Sequence, residues 1–215
     1  HSAVALKAVS FYLQLPQPSR QLSKMSPLRN IALCAHSAWR ELFIELARLL
    51  KERHGSAVHL YCATPEDSAY YTSRNSDARF ASISHEAGVL QHVFEPVADD
   101  LKTMEAARRL EDETGLSINA LTVSNRHLGR GFALGGFNHP RSRYSEETQY
   151  SQVLNAYIKT LEFWRRELLE KKIDLILNGS VELIRVANNL GISVRALIHS
   201  RHRNYHYWSH TEFYE

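Results

Sequence analysis

Residues 173–200 read IDLILNGSVELIRVANNLGISVRALIHS, and this stretch decides the fold. The uninterrupted apolar run at Leu175, Ile176 and Leu177 marks a strand covered on both faces, as strands of parallel sheets are. Asn178 and Gly179 break the run. Ser180 is placed to cap a helix over VELIRVANNL, and Gly191 to stop it. ISVRALIHS then resumes the strand pattern. Two strands joined through a helix make a βαβ unit, and its strands run parallel.

Working outward, the same order occurs earlier. NIALCA (30–35) is a second continuous apolar run. It is followed by Trp39, Leu42, Phe43, Leu46, Leu49 and Leu50 at helical spacing over 37–54, with Ser37 to cap and Gly55 to end the helix. AVHLYCA (57–63) is the next strand. Between the two βαβ units the pattern loosens. Residues 68–88 are polar and read as irregular, and VLQHVFEPV (89–97) reads as a third strand ended by Pro96. Asp99 and Asp100 open a helix through Leu101, Met104, Ala107 and Leu110, closed at Gly115. Residues 125–145, with four Gly and four Arg, form a loop longer than a connector requires. A long helix is expected over 145–172, burying Val153, Leu154, Tyr157, Ile158, Leu161, Trp164 and Leu168. The expected fold is a three-layer, Rossmann-like α/β domain, an open and mainly parallel sheet with helices on both faces.

Composition agrees with a globular domain. The 215 residues are 44 % hydrophobic and 23 % charged, with a net charge of +3, too weak a basic balance for general nucleic-acid binding. Cys34 and Cys62 sit in apolar runs and read as buried free thiols of a reducing compartment. No run reaches the roughly 18 apolar residues of a membrane helix. Residues 1–24 read as a non-native or disordered leader before a start at Met25, with a signal peptide the less favoured reading. Residues 25–215 read as one domain, and the cytoplasm is the expected location.

Ligands of open parallel sheets bind beyond the carboxyl ends of the strands. That rule nominates AHSAWR with His36 and Arg40, Asn178 with Gly179, and the terminal run SRHRNYHYWSHTEFYE (200–215). GxGxxG, GxxxxGK[ST], CxxC and HExxH are all absent from the sequence, which removes the usual dinucleotide, P-loop and metalloprotease readings. His36, just ahead of a helix, would serve as a general base if Asp99 or Asp100 oriented its ring. The plainer alternative is that it hydrogen-bonds the helix end. Arg126, Arg130, Arg141, Arg143, Arg201 and Arg203 suit phosphate or carboxylate. Tyr205, Tyr207 and Trp208 offer stacking surfaces, unless they simply pack on the sheet edge. His202, His206 and His210 would share a helical face, but no fourth ligand accompanies them and no metal is expected.

ETGLSINALTVSNRHLGRGFALGGFNHPRS (113–142) and LILNGSVELIRVANNLGISVRALIHSRHRNYHYWSHTEFYE (175–215) resemble the amino-terminal part of bacterial capsule and lipopolysaccharide glycosyltransferases of the two-Rossmann-domain (GT-B) kind. The resemblance implies the acceptor-side half of a nucleotide-sugar-dependent transferase in surface-polysaccharide biosynthesis. Such an enzyme uses a nucleotide sugar as co-substrate and no further cofactor. It takes a saccharide acceptor, needs a second domain that this chain lacks, and would be silent as a fragment. Peripheral membrane association of the full-length protein is also implied. On this reading His36, Asp99 and Asp100 are catalytic, and Arg40, Arg126, Arg130, Asn178, Gly179, Arg201, Arg203, Tyr205 and Trp208 bind substrate. The alternative is a non-catalytic domain that binds a nucleotide or an anionic sugar. Specific nucleic-acid binding is not expected.

Overall fold

A computed structural model describes residues 28–35, 37–86, 88–125, 149–200 and 205–210. They form an α/β fold of the open, Rossmann-like kind, with mostly parallel strands. The chain divides into two compact units, one ending at His85 and the other beginning at Glu86.

In the first unit, β1 (Asn30–Cys34), β2 (Ala57–Cys62) and β3 (Ser82–His85) are parallel, with β2 in the middle. The register sets Leu33 beside Leu60 and Leu60 beside Ile83. Ile31, Ala32, Leu33, Val58 and Leu60 are fully buried. The Ile, Leu and Val side chains among them each contribute about 2 kcal/mol by leaving water. A single 3-10 turn, Ser37–Trp39, leads into α1 (Arg40–His54). Gly55 ends α1 at φ 66, a left-handed position that suits glycine. The buried seam of α1 is Phe43, Ile44 and Ala47. Leu42, Leu46, Leu49 and Leu50 are only half-buried, so the helix is rotated from the face read in the sequence.

Two expectations for the middle of the chain are corrected. The stretch read as irregular holds most of α2 (Pro65–Ser73), which starts just before it and is capped by Thr64, and the strand β3. The stretch read as a third strand begins with the short helix α3 (Val89–His92). The sequence SISH is too short and too polar to announce a strand. It becomes one because β2 supplies hydrogen-bond partners from His59 to Cys62.

The second unit holds α3, α4 (Asp100–Thr114), α5 (Ile118–Ser124), α6 (Tyr150–Glu170), β4 (Leu175–Leu177), α7 (Val181–Asn189), β5 (Ser193–His199) and β6 (His206–Ser209). Helix α4 begins and ends as expected, at Asp99 and Gly115. Its buried residues are Ala107, Leu110 and Thr114, while Leu101 is 73 % exposed. All seven apolar residues assigned to the buried face of α6 are buried, a 3.6-residue periodicity carried through the helix. β4 and β5 are parallel around α7, as the opening stretch predicts. β6 returns antiparallel to β5. The terminal run is therefore in part a sheet edge.

Among the described residues no helix is long and apolar enough to cross a membrane. Cys34 and Cys62 are buried and unbridged.

Candidate functional site

The turn after β4 is built for close approach to a helix start. Asn178 has φ 61, and its N–H donates to the Arg195 carbonyl at 2.8 Å. Its side-chain oxygen accepts the Leu197 N–H at 2.7 Å. Gly179 has φ 146, and a Cβ there would lie 2.9 Å from Leu183 Cδ2. Ser180 Oγ accepts the Leu183 N–H at 3.3 Å and caps α7. Glycine is the residue that fits this bend, and Glu182 then falls in the first turn of α7.

Glu182 belongs to an acidic group that the sequence reading did not find. Glu86 follows β3 directly and is half-buried. Burial first, and the charge of Glu182 second, push its carboxyl up to about 7. Tyr157, on the buried face of α6, is fully buried. Burial first and Glu182 second raise the proton affinity of its phenol, while Asn125 and Thr122 act against them. Helices α6 and α7 pack together. Glu86 is thus half ionised near neutrality, the condition for a general acid or base. Glu182 stands in the first turn of α7, where a helix N-terminus favours an acidic side chain.

The first unit presents a different chemistry beyond β1 and β2. Arg40, the first residue of α1, donates through Nε to Asp67 Oδ1 at 2.7 Å, and its Nη2 lies 2.6 Å from the same oxygen. Thr64 Oγ1 donates to Asp67 Oδ2 at 3.2 Å. The Asp67 side chain is 7 % exposed and that of Arg40 32 %. The guanidinium of Arg40 also lies 4.8 Å from the centre of the Tyr70 ring, and that of Arg74 lies 3.9 Å from it.

The other expected site residues fall as follows. Asp99 accepts the Lys102 N–H at 3.1 Å and caps α4, and Asp100 is an exposed residue in its first turn. The element before them is the short helix α3, not a strand. Tyr205 is 64 % exposed, and its carbonyl accepts the Ser200 N–H at 2.8 Å to close the β5–β6 hairpin. Trp208 is half-buried and stands opposite Leu197. His206 lies in a strand, its ring edge-on to His199 at 4.9 Å, so the helical face proposed for three histidines does not form there. Among the described residues no cluster of three or more His, Cys, Asp or Glu is arranged to hold a metal ion. His36, Arg126, Arg130, Arg141, Arg143, Arg201, Arg203 and His202 lie outside the described residues, as do residues 1–24.

The acidic group could not be found by motif. Glu86 sits in a polar stretch with no periodicity, and Glu182 reads as an ordinary first-turn acid. Their chemistry comes from burial and from each other. No protein-family model matches the sequence, and no curated protein matches it.

Proposed function

We propose that the chain is the acceptor-side part of a nucleotide-sugar-dependent glycosyltransferase, with Glu86 as the base that activates the acceptor. The observation that carries this reading is a carboxyl held near pH 7 directly after a strand of a Rossmann-like fold. The resemblance of 113–142 and 175–215 to surface-polysaccharide glycosyltransferases supplies the reaction class. In the reaction an acceptor hydroxyl oxygen attacks the anomeric carbon of the donor sugar. The bond from that carbon to the diphosphate breaks, the nucleoside diphosphate leaves, and Glu86 takes the hydroxyl proton. A base of this pKa is half deprotonated at neutral pH and strong enough to accept the proton as the new bond forms. Of the bases expected from the sequence, Asp99 is engaged as a helix cap, whereas Glu86 has no such structural task among the described contacts.

The test is a transfer assay on a longer protein containing this chain, with nucleotide sugars as donors and mass spectrometry of the products. Transfer should rise with pH through about 7, and Glu86→Gln should reduce it at least 100-fold, the low end of what a positioned base contributes. Transfer unchanged in Glu86→Gln would overturn the assignment of the base. Nucleotide-sugar binding with no transfer to any acceptor would favour a non-catalytic binding domain instead.

A further inference from the structure

Sequence spacing set His202, His206 and His210 on one helical face, but β6 is a strand, and its register selects a different pair. His206 stands directly opposite His199 on β5. Opposed side chains of an antiparallel pair project from the same face of the sheet, with Cβ atoms about 4.5–5.5 Å apart. The two imidazole rings are edge-on, with centres 4.9 Å apart and planes at 90°. His206 is half-buried and His199 is exposed. On the same face the next pair is Leu197 with Trp208, and on the other side the hairpin closes through Ser200 and Tyr205.

This spacing has a chemical meaning. An imidazole nitrogen binds a transition-metal ion at about 2.0–2.1 Å, which puts the ring centre about 3.2 Å from the ion. Two centres 4.9 Å apart, each at that distance, subtend about 100° at a shared ion. That angle falls between the octahedral and tetrahedral values of about 90° and 109°. Binding then requires rotation about χ2, a broad torsion in histidine, with the strands left in place. Because the sheet already holds both residues side by side, little ordering is left for the ion to supply.

We propose that His199 and His206 form a two-imidazole site for a divalent transition-metal ion, of the Zn2+ or Ni2+ kind, at the β5–β6 hairpin. Imidazole suits these ions, whereas Mg2+ and Ca2+ take oxygen ligands. Two protein ligands leave positions for water, so the ion is exchangeable and not enclosed like a structural zinc. Once bound, it staples β6 to β5. The inference rests on the hairpin and does not depend on Glu86 or on transfer.

Calorimetric titration of the protein, freed of metal by a chelator, with Zn2+, Ni2+ and Mg2+ tests it. Saturable binding of Zn2+ or Ni2+ is expected, with none of Mg2+, and the melting temperature should rise as the ion binds. His199→Ala and His206→Ala should each weaken binding at least tenfold. His210→Ala, at an exposed histidine just after β6, should leave it unchanged. Should His206→Ala fail to fold, the side-chain 15N shifts of both histidines in the unaltered protein give the same answer, because both must move as the ion is added. Absence of Zn2+ and Ni2+ binding, or binding that survives undiminished in His199→Ala, or histidine signals that stay fixed at saturation, overturns the proposal.

Discussion

The side-chain oxygen of Asn178 accepts the backbone N–H of Leu197 at 2.7 Å, joining the turn after β4 to the middle of β5. The same residue holds φ 61, where asparagine is among the few side chains that sit without much strain. Asn178→Ala loses the bond and keeps the strained backbone, and should cost about 2 kcal/mol. Asn178→Gly loses only the bond and should cost about half as much. Urea unfolding of both variants checks the order.

Gly179 is more constrained. At φ 146 a Cβ would meet Leu183 at 2.9 Å, so Gly179→Ala combines backbone strain with overpacking. A loss of about 2–3 kcal/mol is expected, read as a lower urea midpoint with an unchanged slope.

Glu86 links stability to pH. Its carboxyl titrates from the ordinary value of 4.5 in the unfolded chain to about 7 in the folded protein, so the folded state binds the proton more tightly. Its contribution is fully present below pH 4.5 and is lost as pH rises through about 7. The loss is at most about 3 kcal/mol. Glu86→Gln should remove this loss, so that the variant gains on the unaltered protein as pH is raised from 4.5 to 8. Parallel curves for the two proteins would refute the assignment.

Arg40→Ala leaves Asp67 buried without its cation. The pair is partly open to water on the arginine side, which moderates the usual penalty to about 2–3 kcal/mol. Arg40→Ala combined with Asp67→Asn should recover much of that loss, because the charge needing a partner is gone. A double-mutant cycle by thermal unfolding gives the coupling energy.

Thr160 is fully buried on α6, and its hydroxyl has no hydrogen-bond partner among the described residues. Thr160→Val keeps the shape and removes the unsatisfied group, so stability should be unchanged or rise by about 1 kcal/mol. A lower melting temperature would mean that the hydroxyl has a partner in solution.

Periodicity was legible wherever burial is one-sided and regular. Every apolar position assigned to α6 is buried, and the β4–α7–β5 unit has the parallel order that residues 173–200 predict. SISH was not legible, because a four-residue segment with three polar residues becomes a strand only against the edge of β2. The face of α4 was half legible, since Leu101 has the right spacing but stands beyond the packed part of the helix.

The sequence by itself determined the α/β class, the caps at Asp99, Ser180 and Gly55, and the bend at Asn178 and Gly179. These depend on neighbours a few residues away, and short-range steric and hydrogen-bonding rules govern them. Tertiary structure alone decided that Glu86 feels the charge of Glu182, that Arg40 pairs with Asp67, and that the Tyr71 hydroxyl is buried with no hydrogen bond among the described residues. Each of these is a matter of which charges lose water together. The partners of Glu86 and Arg40 stand 96 and 27 positions away along the chain, and folding brings them together.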